Sequence, residues 1–177
     1  MNKNALKDIL ITLLYVVVIS LAFYSSVQSS IITGPSMQNT YIAGDRLFLN
    51  KIANDYNRGD VIAFHPQIEG REHEEYIKRI IGLPGEQVDI VSGVVTVTTA
   101  DGSRHVLDEP YIKESPNYDH HSGVIPEGCY YVLGDNRNES FDSHYGYFAE
   151  KDFIVGRVLF SYWPFSKIGS SNFKFDF

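Results

Sequence analysis

The chain has 177 residues, 44% hydrophobic and 21% charged, with 12 Tyr and 11 Phe, a composition that excludes a disordered chain and points to one folded domain with a firm core. Its formal net charge of -7 offers phosphate no broad attraction and argues against a nucleic-acid partner. The single cysteine, Cys129, rules out an intrachain disulfide and any multi-cysteine metal site, and in its strand-like surroundings it reads as a small core residue.

Residues 1–8 form a short polar head carrying Lys3 and Lys7, and from Ile9 to about Val27 nothing is charged. That run approaches the roughly 20 residues a helix needs to cross a bilayer. The polar Ser25, Ser26, Gln28, Ser29 and Ser30 then mark a far interface. We read 9–28 as an uncleaved signal-anchor helix. Lysines ahead of it favour a cytoplasmic amino terminus, a single pass through the cell membrane, lipid as a partner, and residues 29–177 outside. The rival reading is a cleavable secretory signal, whose apolar core runs only to roughly 7 to 15 residues.

Beyond the membrane the periodicity becomes extended. Runs at 47–49, 61–64, 76–81, 88–91, 94–98, 130–133 and 153–160 read as strands. Turn chemistry separates them at Arg58-Gly59-Asp60, Leu83-Pro84-Gly85, Ser92-Gly93 and Asp101-Gly102. Many short strands at this spacing predict a mainly β domain, an antiparallel barrel or sandwich. The segment 108–128, rich in Pro, His, Asn and Gly, carries no strand pattern and reads as a surface excursion.

Three stretches carry chemistry. Thr33-Gly34-Pro35-Ser36-Met37 is ordinary turn material, yet just after an apolar segment it presents a hydroxyl and a backbone N-H suited to an oxyanion. A serine needs an adjacent base to act as a nucleophile. In Tyr76-Ile77-Lys78-Arg79-Ile80-Ile81, strand alternation puts Lys78 with Tyr76 and Ile80, and Arg79 on the opposite face with Ile77 and Ile81. Lys78 is the candidate base; the competing reading is a lysine whose stem packs while its ammonium reaches water. Gly134-Asp135-Asn136-Arg137 through Asp142-Ser143-His144 is turn-rich and follows an apolar run. It offers Ser140 as a partner for an amine and Asp142 as a counter-ion for Arg79.

Together, and in this order, these stretches closely resemble the type I signal peptidases, membrane-bound serine-lysine proteases, in their compact Gram-positive form. Arg58-Gly59-Asp60-Val61-Ile62-Ala63-Phe64 and Gly82-Leu83-Pro84-Gly85 extend the resemblance over nearly the whole chain. The resemblance implies Ser36 as nucleophile, Lys78 as general base and Ser140 as the hydroxyl that orients the lysine. It makes Asp142 and Arg79 supporting residues, and puts Ile32, Met37 and Ile77 in the walls of small substrate pockets. Three positions depart from the family's pattern: Asn39 replaces a proline, His144 an arginine, and Gly34 lacks a hydroxyl that some members place there.

The implied activity is endoproteolytic removal of signal peptides from exported preproteins after small residues of the Ala-x-Ala type. It calls for no metal and no cofactor, provided the site lowers the lysine's ordinary pKa near 10.4 by roughly 3 units. Two alternatives stay open. One is a serine-lysine protease dedicated to a single surface or pilus substrate. The other is a non-catalytic, membrane-tethered β-domain that binds secreted chains.

Overall fold

The computed structural model describes residues 3–177, so Met1 and Asn2 of the polar head lie outside the described residues. Helix α1 (Lys3–Ser26) is 24 residues long. Its segment Leu6–Ser26 has a mean hydropathy of 2.2 and nothing covers it. A helix apolar on every side has no single face to lay on a core. At ~1.5 Å per residue it is long enough to cross a hydrocarbon layer of ~30 Å.

The helix ends earlier than residue 28. Val27 and Gln28 already belong to β1 (Val27–Ile31), which pairs antiparallel with β2 (Arg46–Asn50). Of the serines expected at a membrane interface, Ser25 and Ser26 close the helix while Ser29 and Ser30 are strand residues: Ser30 is buried, and its hydroxyl bonds the Glu75 carboxylate. Pairing with β2 imposes this strand on a sequence with little apolar alternation of its own.

Nine further strands follow among the described residues: β3 (Val61–Phe64), β4 (Tyr76–Gly82), β5 (Gln87–Val91), β6 (Val94–Thr98), β7 (Arg104–Val106), β8 (His120–Val124), β9 (Cys129–Leu133), β10 (Ala149–Glu150) and β11 (Ile154–Trp163). They form a seven-stranded sheet in the order β1-β2-β11-β3-β4-β9-β10 and a four-stranded sheet in the order β7-β6-β5-β8. Every pairing is antiparallel. The mainly β class is as expected. The expectation of no strand within 108–128 is not met: β8 lies there, docked on the edge of β5. Its His, Ser and Gly residues have little strand preference, so the open edge of β5 supplies the order.

The centre of the large sheet is buried on both faces. Val61 and Ala63 of β3 pack with Leu47, Leu49 and Ile77 on one side, while Ile62 and Phe64 pack with Ile80, Tyr130 and Val132 on the other. Ile81, Tyr131 and Leu133 join the small sheet through Val88, Ile90, Val95 and Val97. Continuous apolar runs such as Val61-Ile62-Ala63-Phe64 are what a strand covered on both faces requires.

One ion pair sits where the sheets meet. Arg58 donates to both Glu86 oxygens at 2.8 and 2.7 Å and to the Ile81 carbonyl at 2.7 Å, with the two side chains only 6% and 8% exposed. Removing one partner strands the other charge in a poorly solvated place. Glu86→Ala is expected to cost roughly 3–5 kcal/mol, read as urea unfolding of the full chain in detergent. Replacing both partners by Met and Leu should cost far less.

Candidate active site

The chain leaves β1 at Ile31 and doubles back through two tight turns. Gln38 N donates to Pro35 O at 3.0 Å, and Thr40 N and Tyr41 N donate to Met37 O at 2.9 and 2.8 Å. Met37, 1% exposed, anchors the turn in the core, while Ser36 stays half-buried at its lip. A second strut comes from beyond β9: Asn136 donates its backbone N-H to Ser36 O at 2.9 Å and its side-chain amide to Pro35 O at 3.1 Å. Gly134 is required there, because a Cβ would stand 2.4 Å from the Ser36 carbonyl oxygen and 2.2 Å from Ser140 Oγ.

Lys78 reaches this lip from the middle of β4. Its side chain is buried, its Nζ is 2.8 Å from Ser36 Oγ and 3.2 Å from the Ile77 carbonyl oxygen, and it stands 5.2 Å above the Tyr76 ring. Among the described residues no carboxylate bonds it. Desolvation therefore dominates and pulls its pKa down from 10.5 to about 8, against a weaker upward pull from Asp142 and Asp135. About a tenth of this amine is then unprotonated at pH 7 and about half of it near pH 8, with its nitrogen within hydrogen-bond distance of a hydroxyl. That is the arrangement by which a serine is made nucleophilic.

The expected partner of Arg79 is corrected. Arg79 pairs with Asp135, Nε to Oδ1 at 2.9 Å and Nη2 to Oδ2 at 2.7 Å, both side chains fully buried. Register explains the choice. Arg79 lies opposite Leu133 on β9, and Asp135, two residues on, falls on the same side as Leu133. Asp142 turns elsewhere: one oxygen accepts from Gly134 N at 2.9 Å and the other lies 2.7 Å from His144 Nδ1. The His144 ring stacks on Tyr118 with centroids 4.1 Å apart. Ser140 Oγ is buried without a hydrogen-bond partner, so the expected bond to Lys78 is not made.

A groove of about 540 Å³ opens over the pair. Ile31, Ile32, Ser36, Met37, Tyr76, Ile77, Lys78 and Phe141 line it, with Glu74, Glu75 and Glu139 beside them. Ile32, Met37 and Ile77 belong to one apolar cluster, so the three expected wall residues do come together. Sequence reasoning assigned no role to Asp135, Asn136 or Thr40, whose hydroxyl bonds the Asp135 carboxylate. Three polar residues directly after the apolar strand β9 were the available signal. Among the described residues, no His, Cys, Asp and Glu side chains gather as a metal-holding group.

Residues 3–163 match the family model described as signal peptidase, peptidase S26. A probable signal peptidase I-2 of Synechocystis is 38% identical over 144 residues, 78% of this chain and 64% of that protein, so the match spans less than two thirds of that relative's length. Signal peptidase I of Leptolyngbya laminosa is 38% identical over 146 residues, covering 78% of this chain and 70% of the relative. Signal peptidase IB of Staphylococcus aureus is 35% identical over 167 residues, covering 82% and 80%. A solved signal peptidase I from Enterococcus faecalis aligns with a TM-score of 0.49 at 31% identity, covering 58% of this chain and 96% of that one.

The buried amine makes a stability prediction that needs no substrate. Below about pH 8 the lysine is charged in both folded and unfolded chains, and its burial penalty is present in full. As pH rises from about 8 toward 10.5, the folded protein has released a proton that the unfolded chain still holds, so stability increases. Lys78→Met, which carries no such charge, should melt higher than the wild type near neutral pH. The gap should narrow, by up to about 3 kcal/mol, as pH climbs through that window.

Proposed function

The chain belongs to the family of signal peptidases, peptidase S26, and from that premise we propose that it is a serine endopeptidase removing signal peptides from exported preproteins. The observation that carries this reading is the 2.8 Å separation between Ser36 Oγ and a buried, desolvated Lys78 Nζ. Ser36 attacks the scissile carbonyl as neutral Lys78 takes its proton. The backbone N-H of Ser36, on the turn, faces the developing oxyanion. Lys78 passes the proton to the leaving amine, releasing the mature chain and leaving an ester on Ser36. A water then attacks that ester, giving its proton to Lys78, and the proton returns to Ser36 as the signal peptide departs.

Ile32, Met37 and Ile77 form the walls that admit Ala, Gly or Ser before the cut, in keeping with their shared apolar cluster at the groove. Asp142 and Arg79 act through the loop that carries Asn136, and Ser140 lies in the same buried layer. Helix α1 anchors the enzyme with its amino terminus in the cytoplasm and the β-domain outside. Its length and apolar composition support a membrane span, and Lys3 and Lys7 at its start support this orientation.

Ser36→Ala and Lys78→Ala should each lower cleavage on the order of 10³-fold or more while the protein stays folded; substantial turnover by either variant overturns the pair. In the wild type, kcat/KM should rise with pH through about 8, as the base loses its proton. Because the Asp142 charge raises the Lys78 pKa, Asp142→Asn should move that acid limb to lower pH. Assayed on a panel of unrelated preproteins, Ala before the cut should be accepted and Phe refused. Equal cleavage of both would remove the pocket assignment.

A further inference from the structure

The family match ends at Trp163, yet the residues that follow are bound to the core through Arg79 and the strands β3 and β11. Ser161 N donates to Gly169 O at 2.9 Å, turning the tail back along β11. Ser171 O then accepts from Arg79 Nη1 at 2.8 Å. Asn172 takes Val61 N on its Oδ1 at 2.9 Å and gives its Nδ2 to Val158 O at 2.8 Å. The ladder between β3 and β11 stops at the pair Ile62 and Arg157, so this amide bridges the next step.

Phe173 N donates to Gly59 O, the same carbonyl that accepts from Arg79 Nη1. A Cβ at Gly59 would lie 1.9 Å from Phe173 O, and glycine there takes φ +91°, so the tail's close approach and the backbone both require glycine. The Phe173 and Phe175 rings lie against Tyr111, itself 4.0 Å from the Arg79 guanidinium.

Arg79 is thus held on one side by the tail and on another by Asp135. Asp135 takes the hydroxyl of Thr40, four residues beyond the nucleophile, and the next residue, Asn136, binds the Ser36 carbonyl. We propose that Ser171 and Asn172 are positioning residues of the Ser36 and Lys78 pair, and that the tail from Gly169 to Phe177 is a strap that fixes Arg79 and through it the Ser36 turn. The proposal rests on the serine-lysine reading. No tail residue lines the groove over Ser36, so substrate binding is spared while the geometry of attack depends on the strap.

The test uses the full chain in detergent, assayed well below its melting midpoint on a preprotein substrate. Asn172→Ala should lower kcat about tenfold with KM unchanged within about twofold, since small misplacements at a reacting pair are costly. A chain ending at Ser170 should lose on the order of a hundredfold in kcat, and a synthetic peptide of residues 171–177 added in trans should restore at least about a tenth of it. Wild-type kcat in folded Asn172→Ala, or a loss confined to KM, overturns the proposal. So does a folded shortened chain that keeps full kcat or that the peptide does not rescue. If the shortened chain fails to fold, the kcat of Asn172→Ala decides. Failure of the serine-lysine reading looks different: the wild type itself would not cleave, or Ser36→Ala would remain active.

Discussion

A lysine amine held out of water against a serine hydroxyl is the constraint around which this protein is arranged. Lys78 is covered by its own sheet and by the Ser36 turn, and it meets a hydroxyl and a carbonyl where a structural lysine would meet a carboxylate. Such a contact does not compensate a buried charge, so the site favours the neutral amine. The surrounding fold has to supply the stability that this arrangement withholds, and it does so with β strands covered on both faces.

The neighbouring residue receives the opposite treatment. Arg79 is also fully buried, but Asp135, the Gly59 and Ser171 carbonyls and the Tyr111 ring surround it. Two consecutive cations of one strand thus point to opposite faces and have different fates. One is starved of partners and is held toward its neutral form. The other is saturated with them and becomes a fixed strut. Exchanging the two would fail on both sides: guanidinium cannot give up its proton, and a single ammonium cannot hold that planar array of acceptors.

Much of this was legible in the sequence, for identifiable reasons. The continuous apolar run 61–64 and the β-rich run 76–81 announced strands, and the order of Ser36, Lys78 and the loop after Leu133 carried the resemblance to one protease family. Four strands were missed: β1 and β8, rich in Ser, His and Gly, exist because an open edge awaits them, and β7 and β10 are too short to show a pattern. The partner of Arg79 was missed for another reason. Asp135 and Asp142 lie in the same loop, and only the register of β4 on β9 decides which one faces the guanidinium. Asn172 was invisible because its amide joins β11 to β3, a strand more than a hundred residues away in sequence.

Helix α1 passes into β1 with no residue between them, Ser26 closing one and Val27 opening the other. β1 has five residues, all paired with β2, so the five extended residues can carry the chain no more than ~17 Å from the helix end before the Ser36 turn begins. A flexible tether would let the blade swing. Here no linker residue separates helix from strand, so the distance between the helix end and the sheet is short. With α1 seated in a bilayer, this short connection would keep the Ser36 turn close to the lipid surface, so that peptide bonds lying near that level would be the ones within its reach.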